Sequence, residues 1–253
     1  MKPVFLTDKQ DKAFAAHISD LILSAQQNAI TRFSGFLDMH QLTLARQVAV
    51  ASGYSNYLFF SGYPGGERAM LGVFSPYEAQ TPFPIVPITL RFRKEDPIGH
   101  RDILGALIGL EIRREAVGDI LVGEGTAAAF VTESVAPILL SELKKVGHCG
   151  VKVCQAMPET LPPLHQYLDI SATVSSQRLD CIVAAIAGIS RDKSSRTIEA
   201  QLVFVNGACQ CEPSWNVEEG DVISIRGFGK FLFANVNRVT KKGRLQILCK
   251  KYV

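Results

Sequence analysis

Apolar residues recur at helical spacing over 7–31, where Ala13, Phe14, His17, Ile18, Leu21 and Ile22 mark one face of a predicted helix. On that face His17 reads as a packing residue. A second helix is predicted from about His40 to Ser52, with Asp38 as its cap and Gly53 as its stop. "YLFFSGYPGGERAMLGVF" holds two apolar runs split by a Gly/Pro cluster, which predicts strand, turn, strand. Three prolines between 82 and 87 mark a loop and the entry of an edge strand, and "ITLRF" (88–92) alternates as a half-buried strand does. "GHRDILGALIGL" (99–110) places Ile103, Leu104, Leu107 and Leu110 on one helical face. "DILVGEGTAAAFVT" (119–132) predicts a hairpin about Gly123-Glu124-Gly125. "SVAPILLSELKKV" (134–146) predicts a helix with Pro137 in its first turn, and "GVKVCQAM" (150–157) a strand.

The order from about 86 to 157 is therefore β-α-β-β-α-β, the split arrangement of a ferredoxin-like domain. The fold class expected is α+β, with a boundary at the prolines Pro158, Pro162 and Pro163. Three regions are expected: an N-terminal helical region with a short hairpin (1–75), the ferredoxin-like domain (76–160), and a C-terminal domain (168–253). In the last, Leu179, Ile182, Val183 and Ile186 mark a helix that Gly188 ends. Ser190 caps the next helix, and Asn206-Gly207 and Glu219-Gly220-Asp221 turn a small twisted sheet.

Charge changes the picture of that last domain. Residues 1–167 carry 15 Lys+Arg against 16 Asp+Glu, whereas 168–253 carry 12 against 8. After Asp221 no acidic residue follows, but Arg226, Lys230, Arg238, Lys241, Lys242, Arg244, Lys250 and Lys251 do. Such asymmetry points to a polyanionic partner. Arg191, Lys193 and Arg196 lie in the first two turns of the helix after Ser190, against the positive end of its dipole. That costs a few tenths of a kcal/mol each unless an anion sits there. Lys193 and Arg196 fall about 60° apart on one face, with Ile198 and Leu202 nearly opposite. Arg191 lies nearer the apolar side and reads as part structural, part ligand contact.

Other chemistry is thinly supplied. Cys209 and Cys211 have no His nearby in sequence and no second Cys pair at zinc spacing, so no metal and no cofactor is expected. The six cysteines read as reduced thiols of a cytoplasmic protein. No apolar run reaches membrane-spanning length, the N-terminus lacks a signal-peptide core, and no small-molecule substrate is implied. His100, Arg101 and Asp102 are adjacent and diverge around a helix start, so they form no acid–base site. His100 and Arg101 remain candidates for a phosphate contact, and Arg113 and Arg114 candidates for solvated cations or RNA contacts.

Arg178-Leu179-Asp180, Ser190-Arg191, Val205-Asn206-Gly207, Pro213, Gly220-Asp221 and Arg226-Gly227 resemble the alpha-L RNA-binding domain. That is the module of small-subunit ribosomal protein S-four, also found in pseudouridine synthases and tyrosyl-tRNA synthetases. "GYPGGERAMLGVF", "GHRDILGALIGLEIRREAVGDILV" and "RGFGKF" extend the likeness to most of the chain, which is similar to the YlmH family of bacterial RNA-binding proteins. That resemblance implies an RNA-binding α/β domain followed by an alpha-L domain. It also implies binding to ribosomal RNA and tRNA on the large ribosomal subunit, and a part in ribosome-associated quality control of stalled translation. The expected RNA contacts are Arg178, Ser190, Arg191, Lys193, Ser194, Arg196, Thr197, Asn206, Gly207, Arg226 and Lys230. Two positions depart from the family pattern: Glu111 stands where Gly is expected, and Gly207 where a bulkier residue is. The alternatives are an RNA-modifying enzyme that uses the alpha-L domain to hold substrate, or an adaptor linked to cell division. The enzyme has little support in sequence. The single Arg-Leu-Asp is followed by Cys-Ile-Val rather than a synthase context, and the α/β region is too short and wrongly ordered for a methyltransferase.

Overall fold

The structure is a computed structural model that describes residues 9–77, 81–165, 167–240 and 243–252. The chain divides into two compact units, Met1–Leu164 and His165–Val253.

The first unit begins with α1 (Lys9–Asn28), β1 (Arg32–Leu37), α2 (Met39–Ser52), β2 (Tyr57–Phe60) and β3 (Ala69–Val73). Residue 7, where the first helix is predicted to start, lies outside the described residues. Asp38 starts α2 through a reciprocal cap: its carboxylate accepts from the Gln41 N–H at 2.9 Å, and the Gln41 side chain accepts from the Asp38 N–H at 3.0 Å. Gly53 ends it at φ 69°. The strands form an antiparallel sheet in the order β1-β3-β2. The apolar pattern predicts the β2–β3 hairpin but not β1, because the register slips between Phe33 and Phe36 and breaks the alternation. Ile18, Ile22 and Ala25 of α1 pack with Leu42, Ala45 and Ala49 of α2 over Leu71 and Val73. His17 is exposed, not packed, since the buried stripe runs through Ala15, Ile18, Ile22 and Ala25.

The ferredoxin-like order follows. It comprises β4 (Ile85–Arg91), α3 (His100–Gly109), β5 (Val117–Gly123), β6 (Thr126–Thr132), α4 (Ala136–Glu142), the short hairpin β7 (Lys145–Val146) and β8 (Cys149–Gly150), and β9 (Lys152–Cys154). The sheet runs β5-β6-β4-β9 with every neighbour antiparallel, as the split βαβ arrangement requires. β9 pairs only with Thr89–Arg91, so β4 is still an edge at Pro87, where a missing N–H is tolerated. α4 stops at Glu142, earlier than predicted, because Lys145 and Val146 pair with Gly150 and Cys149 instead. β9 is shorter than the predicted 150–157 strand for the same reason. The β5–β6 turn holds two residues, Glu124 and Gly125, since Gly123 already pairs with Thr126. Glu111 takes φ 61° just past α3, a conformation that favours glycine. The turn is kept, and strained.

One face of this sheet carries Ile88, Leu90, Ala127, Ala129 and Val131 against Ile103, Leu107 and Leu139 of the helices. The other carries Leu121, Ala128 and Phe130 against Phe36, Tyr63 and Met70 of the N-terminal sheet region, with Tyr63 stacked on Phe130 at 4.4 Å. The helix-free face is thus largely covered. Asp119 locks the two sheets together. It accepts from the Tyr63 hydroxyl at 2.9 Å and from the N–H groups of Glu67 and Arg68 at 2.8 and 3.1 Å. A Cβ at Gly66 would stand 2.5 Å from Ser61 and 2.8 Å from the Asp119 carboxylate, so only glycine fits that loop.

The second unit holds β10 (Tyr167–Val174), α5 (Leu179–Ala187), α6 (Arg191–Glu199), β11 (Val203–Val205), β12 (Ala208–Cys209), β13 (Val222–Ile225), β14 (Gly229–Val239) and β15 (Leu245–Tyr252). The sheet is larger than predicted. Its six strands run β10-β15-β14-β13-β11-β12, and β10, which the sequence pattern does not predict, forms one edge. Leu179, Ile182, Val183, Ile186 and Ile198 from the helices pack on Phe231, Phe233, Ile247 and Cys249. Leu202 lies beyond α6 and only half-buried. Among the described residues, no helix is long and apolar enough to cross a membrane.

Candidate nucleic-acid interface

The start of α5 is fixed by the segment that follows the β11–β12 hairpin. The N–H groups of Leu179 and Asp180 donate to the carbonyls of Trp215 and Pro213 at 2.8 and 3.0 Å, so two amides that a helix leaves open are satisfied. Asp180 is thereby held almost fully buried, at 2% exposure. Its carboxylate accepts from Arg178 Nε and Nη2 at 3.1 Å each, from Arg191 Nε at 3.0 Å and from the Cys181 N–H at 2.9 Å. Burial pushes this carboxyl up. The bonds from Arg178, Arg191 and Cys181 outweigh it and hold the group below the usual carboxylate range. Both arginine side chains stay about half exposed, at 42% and 55%. One buried anion therefore orients two half-exposed guanidinium groups, each with N–H donors beyond those that bond it.

α6 supplies cations of a different kind. Ser190 caps it, accepting from the Lys193 N–H at 3.3 Å. Lys193 and Arg196 are exposed, and among the described residues no carboxylate pairs with either. Unlike the Arg178–Arg191 pair, they are unrestrained.

Three of the expected contacts make hydrogen bonds within the domain. Ser194 is fully buried, and its hydroxyl donates to the Asp180 carbonyl at 2.8 Å, tying α6 to α5. Thr197 donates to the Lys193 carbonyl at 2.7 Å, within its own helix. The Asn206 amide donates to Asp221 at 2.7 Å and accepts from the Val222 N–H at 2.9 Å, which pins the hairpin to β13. Asn206 and Gly207 both take positive φ, 50° and 83°, the two-residue turn that explains glycine at 207. Arg226 is exposed in the β13–β14 turn, its guanidinium 5.4 Å from the Phe204 ring centre. Lys230 lies 4.5 Å above the Tyr252 ring. Lys241 and Lys242 lie outside the described residues.

In the first unit the secondary candidates do not form one site. His100 and Arg101 open α3, whereas Arg113 and Arg114 follow its end, roughly 15 Å away along a ten-residue helix. Asp102 accepts from the Gly99 N–H at 2.8 Å, so it belongs to the helix start. Arg114 is half-buried and donates to the Val117 and Gly118 carbonyls at 2.6 and 3.3 Å, so it is not the freely solvated cation expected. Arg113 is exposed. Sequence reasoning missed another pair. Arg91 of β4 and Lys152 of β9 lie directly opposite each other, both exposed. Like charges across a ladder destabilise it slightly, and a phosphate would relieve that. Each residue sits at an alternating position in its strand, but only the register shows them as neighbours.

Cys209 and Cys211 are exposed free thiols. Among the described residues no group of three or more His, Cys, Asp or Glu could hold a metal ion.

Comparison with known proteins covers most of the chain. Residues 83–159, the ferredoxin-like part, match a family model described as "Putative RNA-binding domain in YlmH". The chain is 28% identical over 243 residues to the "Ribosome-associated protein quality control protein P2" of Bacillus subtilis (strain 168), covering 94% of each. Its fold is similar to that of the "Cell division protein ylmH from Streptococcus pneumoniae". The TM-score is 0.53 and the identity 21%, over 62% of this chain and 96% of that one.

Proposed function

The chain belongs to the YlmH family, and from that premise we propose that it binds structured RNA on the ribosome and makes or breaks no bond there. The RNA is ribosomal RNA and tRNA at the large subunit, and the role is quality control of stalled translation, in the cytoplasm. The observation that carries the reading is the pairing of two kinds of cation on one helix pair. Arg178 and Arg191 are oriented by buried Asp180, and Lys193 and Arg196 stand exposed on α6 with no carboxylate partner among the described residues. Planar guanidinium groups held at a surface suit phosphate oxygens, and mobile cations add sequence-independent attraction. Such contacts position a protein and carry little sequence information, so specificity comes from RNA shape. The relative's name and the family description support the ribosomal and RNA parts of this reading.

In the ferredoxin-like part, the Arg91–Lys152 pair is the contact this reading favours over Arg114. The covered sheet face cannot act as an open base-stacking platform, and exposed like charges are left as the available chemistry. Crosslinking in cells, followed by sequencing of the attached RNA, tests the whole proposal. Ribosomal RNA and tRNA are expected. Recovery of messenger RNA alone, or altered nucleosides after incubation of RNA with the pure protein, would overturn it.

A further inference from the structure

The second unit has a sheet face that the helices do not cover. Tyr167 of β10 pairs with Tyr252 of β15, and Asp169 with Lys250. Strand residues alternate between faces, so these four side chains share one face, while Phe231, Phe233, Ile247 and Cys249 turn to the core on the other. The Phe231–Lys251 pair sets Lys230 one step along, opposite Tyr252. The rings of Tyr167 and Tyr252 lie 5.0 Å apart, and His165 joins them at 5.8 and 4.4 Å. Lys230 Nζ stands 4.5 Å over the Tyr252 ring and Lys250 Nζ 5.5 Å over Tyr167. Tyr167 is 41% exposed.

We propose that this cluster is a stacking site for an unpaired nucleotide of the bound RNA. The inference rests on the RNA-binding reading above and adds to it. α5 and α6 offer phosphate contacts, whereas the exposed Tyr167 ring offers a π-face, which a base can use only when it is out of a duplex. Lys230 and Lys250 lie at these rings, with Asp169 opposite Lys250, so ammonium groups are at hand for a nucleotide's phosphate. Lys250 lies over the Tyr167 ring in a cation–π contact, a weak interaction at a surface position. That is weak enough for a base to take the ring while the ammonium moves to the adjoining phosphate. The site therefore selects single-stranded RNA without reading its sequence.

The test uses the full chain, a short oligouridine strand and a blunt RNA duplex with no unpaired nucleotide. Tyr167→Ala should weaken oligouridine binding about tenfold and leave duplex binding within about twofold. Tyr167→Phe keeps the ring and should rescue most of the loss, which separates stacking from a lost hydroxyl or a folding defect. Equal oligouridine affinity for wild type and Tyr167→Ala overturns the stacking site. So does a wild-type chain that binds duplex but not oligouridine, with the phosphate-binding reading left standing. A chain that binds neither RNA overturns both.

Discussion

Asp119 and Asp180 are both buried carboxylates set among arginines, one in each unit, and they are used in opposite ways. Asp119 accepts from a tyrosine hydroxyl and two backbone N–H groups, while the guanidinium groups around it turn away to carbonyls. Arg68 reaches Phe36 and Val117 at 2.8 and 3.1 Å, and Arg114 reaches Val117. Burial pushes the Asp119 carboxyl up and, with Arg114 nearby, pulls the Arg68 guanidinium down to about 10. The charges are consumed in holding two sheets together. Asp180 instead takes two arginines directly, and its carboxyl is held low despite burial. The outer edges of those arginines stay in solvent. The same residue types make a clamp where the guanidinium groups point inward, and a presented cation pair where the carboxylate alone is buried.

Breaking each cluster should expose the difference. Asp119→Ala strands three donors in a buried place and should destabilise the first unit by roughly 3–5 kcal/mol, read by urea unfolding. The fluorescence of Trp215, the chain's one tryptophan, lies in the second unit and should report little of that loss. Asp180→Asn should cost about 2 kcal/mol, less than a deeply buried pair because both arginines can return to water. It should also release the two guanidinium groups and weaken RNA binding, whereas Asp119→Ala should alter RNA binding only through unfolding.

Acid sharpens the contrast. A carboxylate whose folded pKa is lowered contributes stability above its unfolded pKa and loses it as pH falls through the folded value. Asp180 does this, so the Trp215-detected midpoint should drop as pH falls below the ordinary carboxylate range, and Asp180→Asn should flatten the drop. Asp119, whose pKa is raised, has the opposite sign: its contribution is present in acid and is lost as pH rises through the folded value.

Much of this was legible in the chain. Asp38, Gly53, Gly188 and Ser190 mark helix ends by local chemistry alone, and Asn206-Gly207 specifies its turn, so these features are visible one residue at a time. The ferredoxin-like order follows from local periodicity as well. What was not legible depends on register and burial. β1 is masked by its bulge and β10 by its place at a sheet edge. The Arg91–Lys152 pair exists only once β4 and β9 are aligned. Ser194 looked like a donor for RNA because its hydroxyl neighbours are cations. Only the packing of α6 on α5 shows that Asp180 has taken it.

The smallest expected effect tests that missed pair. Arg91→Ala with Lys152→Ala should leave stability unchanged or raise it by a few tenths of a kcal/mol, since like charges no longer face each other. It should lower the salt dependence of RNA binding by one to two phosphates' worth, about 0.7–0.9 per phosphate on a log–log plot. An unchanged slope would remove β4 and β9 from the interface.

The central claim is that the helix pair of the second unit grips RNA phosphates. The most direct measurement is the salt dependence of structured-RNA affinity for the full chain, compared with the Lys193→Ala, Arg196→Ala double variant. Both side chains are exposed, so folding should be intact, and the log–log slope should fall in magnitude by about 2 units. A variant that folds normally and keeps the parental slope would contradict the claim.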